Sequence, residues 1–411
     1  MKQYLDLWKI PLARKLLIAA TPARMAYSMI SLAIFFKTER TLNSISLAGL
    51  ALGLNALAGS FTAGIRGNAI DKWGQKWPIR ILVPGYAIGI ILLNIASTKT
   101  EILVWAFVLG ISAPPINLSV RPLWKQIVPE AQVRSAYGLD SAVMNGVGIV
   151  GPALATTISL SSHPGYALGA CSALMIIGGI ALEFTINHRN WFTEKKDPNE
   201  AKLWKVPAIQ LLMLEGCFIG LGWGFFDVGI PAYATLEGVP HRTAWLFSIM
   251  SLCNVIGGLL AGLVKKRRSA YRTMRQTYLG WFIFSLPLYF TYPDWTLALV
   301  GALLGLTGGA LQVFYFEVLD AVRPKGSATA SLGWLWTIEG SMKVAPQLDG
   351  NVKDAPVIFH QVSASALHKD FQKLGWQIRN ERGMNNLLVG ELMMVAGQGL
   401  RANVRSCQHV G

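Results

Sequence analysis

Charge is scarce in this sequence. Only 14% of its 411 residues are Asp, Glu, Lys or Arg, against 52% that are hydrophobic. Soluble domains carry about 25% charged residues. A water-facing surface cannot be covered with so few, which excludes a soluble enzyme and a disordered chain. Cysteine is scarce as well. Cys171, Cys217 and Cys253 fall inside apolar stretches and Cys407 lies near the C-terminus, with neither disulfide nor metal spacing. That excludes a secreted disulfide scaffold. The six histidines form no ligand cluster in sequence, and no G-x-x-x-x-G-K-[ST] loop is present. No residue pattern resembles a nucleophile with its base. The chain is therefore expected to be no enzyme, to hold no metal or cofactor, and to carry no ATP-driven pump domain.

What the sequence does have is a series of apolar stretches of about 20 residues, each long enough to cross a bilayer core. Spans are expected near 12–36, 43–65, 79–97, 101–123, 136–160 and 165–187. A polar stretch from His188 to Lys205 follows. Further spans are expected near 206–232, 242–264, 277–293, 295–318 and 326–344. Pro114-Pro115 should break the fourth helix locally. A cleaved signal peptide is not expected, because the apolar stretch after Lys15 runs on to Phe36.

The excess of basic residues, 37 against 22 acidic, would suggest nucleic acid in a soluble chain. Here it orients the spans, and no nucleic-acid partner is expected. The N-terminus and the loops on its side carry 24 Lys or Arg, whereas the opposite loops carry four: Lys37, Arg40, Lys99 and Arg242. This asymmetry predicts a cytoplasmic N-terminus and central linker. The halves also echo each other. Asn55, Gly59 and Arg66 in the second span recur at the same spacing as Asn254, Gly258 and Lys265 in the eighth. Parallel six-span repeats are an architecture of secondary transporters.

Between the second and third spans runs Gly67-Asn68-Ala69-Ile70-Asp71-Lys72-Trp73-Gly74-Gln75-Lys76-Trp77, the pattern G-x-x-x-D-K-x-G-x-K. Its glycines permit a tight reversal and close helix approach, Asp71 can face a helix N-terminus, and Lys72 and Lys76 hold the membrane surface. An ordinary positive-inside turn would account for the lysines alone. The segment resembles the signature loop of the major facilitator superfamily, G-x-L-A-D-R-x-G-R-K. Gly67, Asp71, Gly74 and Lys76 match, Lys72 replaces Arg, and Gln75 departs from the usual Arg. The resemblance extends over about residues 10–343. It implies an all-α membrane protein of two six-helix bundles, in which this loop locks the bundles together on the cytoplasmic side. Gly146, Gly148 and Gly151-Pro152 are similar, more loosely, to the glycine-proline element of the family's antiporters, although small residues also serve ordinary packing.

Charged side chains within spans are costly and usually face the bundle interior. Arg24 lies near the midpoint of the first span, and Glu215 and Asp227 flank that of the seventh. The resemblance implies that these two helices line a central cavity. Arg24 opposite Glu215 or Asp227 could bind an anionic or zwitterionic substrate or couple to protons; a permanent structural pair is the alternative. Asp140 joins them as a coupling candidate, although it, Glu183 and Glu317 sit nearer the cytoplasmic ends, where pairing with Arg121 or Arg134 would suffice. Trp223, Phe225 and Phe226, beside Asp227, could stack on a lipophilic substrate or simply pack.

The organisation expected is an N-terminal bundle over 1–187, a linker over 188–205, an incomplete C-terminal bundle over 206–344 with 10–11 spans recognisable in all, and an atypical tail over 345–411. The eleventh span contains Glu339 and Lys343 and is marginal, so ten firmly inserted spans and a loosely held region from about Gly326 are expected. The abrupt change of character favours unrelated sequence replacing the end of a transporter, with a divergent extension as the alternative. The function expected is proton-coupled export of a small lipophilic or amphipathic molecule across the cell membrane by a monomer. The alternatives are an importer of a small polar solute and a non-transporting membrane protein.

Overall fold

A computed structural model describes residues 2–161, 165–187, 202–239, 242–264 and 269–348. Their regular structure is helical throughout. A short helix, α1 (Lys2–Lys9), precedes α2 (Pro11–Leu42), α3 (Ile45–Trp73), α4 (Lys76–Ile95), α5 (Lys99–Ser112), α6 (Ile116–Ile127), α7 (Val133–Ser159) and α8 (Gly165–Asn187). The second half contains α9 (Pro207–Leu236), α10 (Thr243–Leu263), α11 (Ala270–Ser285), α12 (Trp295–Val322) and α13 (Ala328–Leu348). Each expected span meets one of these helices, with α5 and α6 together forming the fourth. Pro114 and Pro115 lie in the three-residue break between them. Most of the linker, residues 188–201, and the tail from residue 349 lie outside the described residues.

Nine of the described helical segments are long and apolar enough to cross a membrane. Their outer surface is correspondingly apolar: Ile95, Trp295 and Phe184 are 71%, 69% and 65% exposed. A patch of this kind is a liability in water and ordinary against lipid tails. The helix starts are prepared by sequence. Ser44 accepts from the Leu47 amide, Thr98 and Glu101 form a reciprocal capping box, and Asp294 accepts from the Thr296 amide. Each satisfies backbone donors that a helix leaves free at its N-terminus.

Within the first half, α2 packs on α7 and α8, α4 on α8, and α3 on α5; within the second, α10 packs on α12, α9 on α13, and α11 on α12. The repeat seen in the sequence is a repeat of contacts. A Cβ on Gly59 would stand 3.6 Å from the Gly110 carbonyl oxygen, and one on Gly258 would stand 3.5 Å from that of Gly309. Gly110 lies in turn against the Asn55 carbonyl, and Gly309 against that of Asn254. Thus α3 crosses α5 as α10 crosses α12. Lys265, the last member of the echo, lies outside the described residues.

The expectation of a loosely held region from Gly326 is corrected for its described part, residues 326–348; the remainder lies outside the described residues. Helix α13 is packed between α3 and α9. Gly333 rests on the Ala63 carbonyl, Gly340 on Ser60 and Gly220 on the Glu339 carbonyl. The Gly64 amide donates to Thr337 Oγ1 at 3.0 Å. Hydropathy undervalued this helix because small residues, which allow close backbone approach, hold it in place.

Candidate functional site

The two halves meet along α3–α13 and α7–α10. Both seams make close contacts at the end of the molecule where the Lys- and Arg-rich loops lie, here termed the basic end. At the first seam, α3 runs through Trp73, so Gly67, Asp71 and Lys72 occupy its last two turns and not a loop. Gly67 and Gly74 consequently serve different purposes. Gly67 is a point of contact: a Cβ there would stand 2.6 Å from the Thr329 carbonyl oxygen and 3.0 Å from Ala330 Cα. Gly74, at φ 78°, makes the reversal into α4, which opens at Lys76. Asp71 accepts the Thr329 amide at 3.0 Å and the Ala330 amide at 2.6 Å, capping α13 from across the seam. Gln75, where the family has Arg, donates to the Ser119 carbonyl on α6 at 3.0 Å. Lys72 lies over the Trp73 ring, 5.4 Å from its centroid.

At the second seam a Cβ on Gly138 would stand 2.7 Å from the Gly258 carbonyl oxygen. Ser135 Oγ donates to the Gly262 carbonyl at 2.6 Å. Arg134 holds Glu317 with two bonds of 2.7 and 3.0 Å and donates to the Val264 carbonyl at 3.1 Å. Beside it Asp320 accepts from Lys125 and Arg323. Contacts also cross the seams farther along: Gly340 rests on Ser60, and Asn145 Nδ2 donates to Asn254 Oδ1 at 3.1 Å. Gly146 and Gly148 on α7, and Gly49 on α3, have nothing within 4 Å of a Cβ position. The molecule is closed at its basic end.

Just inside the closed end lies a buried charge cluster. Arg24 donates to Asp140 Oδ1 at 2.6 Å and to Asn117 Oδ1 at 3.0 Å. Arg121 approaches Asp140 Oδ2 at 3.4 Å and donates to Met144 Sδ at 3.1 Å. The other half supplies the cover: the Arg121 guanidinium lies 3.4 Å from the Phe316 ring centroid and 5.5 Å from that of Trp336. Arg24, Arg121 and Asp140 are each no more than 3% exposed. Sequence spacing pointed Arg24 at Glu215 or Asp227, across the cavity. The structure pairs it within its own half, because α2 packs on α7. Glu215 instead accepts from Tyr278 of α11. Asp227 lies on α9 with its side chain outside the described residues, as does that of Phe225. Trp223 meets Phe226 edge-on at 5.8 Å, and Phe226 meets Phe247 likewise. Glu183 pairs with Arg80 at 2.6 Å.

A sequence profile of the Major Facilitator Superfamily matches residues 16–344. The chain belongs to the major facilitator superfamily. A curated relative, the uncharacterized MFS-type transporter y4rN of Sinorhizobium fredii, is 23% identical over 274 residues, covering 63% of this chain and 68% of the relative. Among solved structures, a bacterial homologue of the iron transporter ferroportin in an outward-facing state with soaked iron aligns with TM-score 0.70. It is 10% identical and covers 94% of this chain and 98% of that one. The human organic anion transporter MFSD10 aligns with TM-score 0.66 at 11% identity, covering 95% and 97%. These likenesses establish the two-bundle fold, and membership makes this superfamily chain a multi-pass membrane transporter of small molecules.

Arg121 and Trp336 were not singled out as cavity residues by sequence. In sequence Arg121 has the position of an end-of-span cation, and nothing local marks Trp336. Only the helix packing that lays Trp336 over Arg121 reveals their association.

Proposed function

We propose that this transporter is a proton-coupled exporter of a small lipophilic or amphipathic molecule, working by alternating access as a monomer. In this reading the basic end is cytoplasmic, the 1–187 and 206–344 halves rock against each other, and the cell membrane is the site of action. The Arg24–Asp140–Arg121 cluster supports it most. Three charges share one buried site, and one wall of that site, Phe316 and Trp336, belongs to the opposite half. Parting the halves at the basic end would strip that wall from Arg121 and admit water. Protonating Asp140 in the closed state would leave two guanidinium charges buried without a carboxylate, a costly arrangement. Proton binding should therefore favour the state opened at the basic end, and an inward proton gradient would drive the cycle.

Import of a small polar solute is the second reading, favoured by one observation. Arg24 Nη1 and Arg121 Nη1 are buried donors that Asp140 does not take up. Flux of lipophilic dyes in oriented proteoliposomes under an imposed pH gradient tests both readings. Export requires dye movement against the proton flow, abolished by Asp140→Asn. Co-movement of a solute with protons would favour import, and no proton-linked flux of any compound would sink both.

A further inference from the structure

The repeat that relates the two halves is broken at one polar position. Asn55 on α3 spends its amide within its own half, donating to the Ala106 carbonyl at 2.9 Å. Its counterpart Asn254 on α10 keeps the backbone contact to Gly309 but directs its side chain across the seam. There Asn145 Nδ2, on α7, donates to Asn254 Oδ1 at 3.1 Å and to Gln312 Oε1, on α12, at 3.4 Å. Three carboxamides from both halves thus converge near the middle of three long apolar helices. Polar side chains at that depth are expensive and are retained for a use.

Their bonding is far from saturated. Each carboxamide has two N–H donors and one oxygen acceptor. The trio's contacts occupy the Asn145 amide nitrogen and the oxygens of Asn254 and Gln312. The Asn254 and Gln312 NH2 groups, and the Asn145 oxygen, make no hydrogen bond among the described residues. All three residues are half-buried, not sealed. Gly148, three residues farther along α7, has nothing within 4 Å of a Cβ position, so open space adjoins this stretch of α7. Asn145 is five residues beyond Asp140 on the same helix, about 7.5 Å along its axis. Met144, its neighbour, receives the Arg121 bond.

We propose that Asn145, Asn254 and Gln312 form a binding subsite for an uncharged hydrogen-bond-accepting group, a carbonyl or amide of the transported molecule. The NH2 groups of Asn254 and Gln312 donate to that group, and the apolar walls of α7, α10 and α12 hold the rest of the molecule. Recognition of this kind discriminates sharply, because an analogue lacking the acceptor leaves those donors unpaired in an apolar surrounding. The proposal rests on the transport reading for the word substrate; the binding itself does not.

The probe is N,N-diethylbenzamide, which accepts but cannot donate, with its hydrocarbon analogue lacking the carbonyl as control. A Gly148→Cys variant of the full chain in membrane vesicles is labelled with a methanethiosulfonate reagent, and the parent chain gives the background. The amide should slow labelling in a saturable way, and the hydrocarbon should not. Gln312→Met, which keeps the side-chain length, should raise the half-protecting concentration about five- to tenfold; Asn254→Leu should do the same. Absence of protection, equal protection by the hydrocarbon, or indifference to both substitutions would overturn the subsite. An amide that protects but never crosses proteoliposomes would count against the transport reading and leave the subsite standing.

Discussion

The carboxylate of Asp71 accepts the backbone amide of Ala330 at 2.6 Å, so the last turn of α3 caps the first turn of a helix in the other half. Parting the halves at the basic end would break this bond. Negative charge at a helix N-terminus contributes about 0.3–1 kcal/mol, and up to about 2 when partly buried. Asp71→Asn keeps an acceptor and loses the charge. It should shift the population towards opening at the basic end by about two- to fivefold. Cysteine accessibility from each side reads this; identical labelling in both proteins would remove Asp71 from the latch.

Gly67 and Gly49 lie on the same helix and should respond differently to a methyl group. At Gly67 the added carbon would stand 2.6 Å from a backbone oxygen of α13, which cannot swing away as a side chain can. Gly67→Ala should push the seam apart and increase accessibility at the basic end, with overpacking of about 1–3 kcal/mol. Gly49→Ala meets nothing within 4 Å and should be silent or slightly stabilising through helix propensity. Equal effects at both sites would mean that the seam does not govern opening.

Arg24 and Asp140 should be strongly non-additive. Arg24→Leu leaves Asp140 buried beside Arg121 alone, and Asp140→Leu leaves two buried guanidinium groups. Breaking a buried pair costs about 3–5 kcal/mol, whereas replacing both partners with apolar residues is often nearly neutral. The double variant should therefore melt above Asp140→Leu, which leaves two buried guanidinium groups unpaired, but not above Arg24→Leu, which leaves Asp140 paired with Arg121, and it should lose proton-linked transport. Additive losses in a thermal-melt cycle would show that the pair contributes little.

At the end opposite the basic loops, Asp294 caps α12. The side chain and amide of Thr296 donate to its carboxylate and hold it below the usual range for an Asp. A depressed folded-state value stabilises above the ordinary carboxylate range, and that contribution is lost as pH falls through the folded value. Protection of the Thr296 amide against hydrogen exchange, taken relative to its intrinsic rate at each pH, should fall on acidification through that range in the native chain. In Asp294→Asn the protection should lack this step; an identical acid response would exclude the cap.

Much of this architecture can be read from residue order. Span positions, their orientation relative to one another and the fourth-helix break depend on local hydropathy, charge and proline chemistry, which act within a few residues. The Asp71 motif and the Asn55/Asn254 echo are legible for the same reason, being patterns at short spacing. Partner choice is not of this kind. Arg24 bonds Asp140, 116 residues away, because α2 packs on α7; no local rule distinguishes that carboxylate from Glu215. Likewise α13, marginal by hydropathy, is secured by Gly333 and Gly340 against α3, and Trp336 becomes a wall of the charge cluster only through that packing. Local composition determined that the chain enters a membrane as a repeated bundle. Which buried charges and amides face one another was decided by close contact of helices distant in sequence, where a glycine sets the approach and the approach sets the partners.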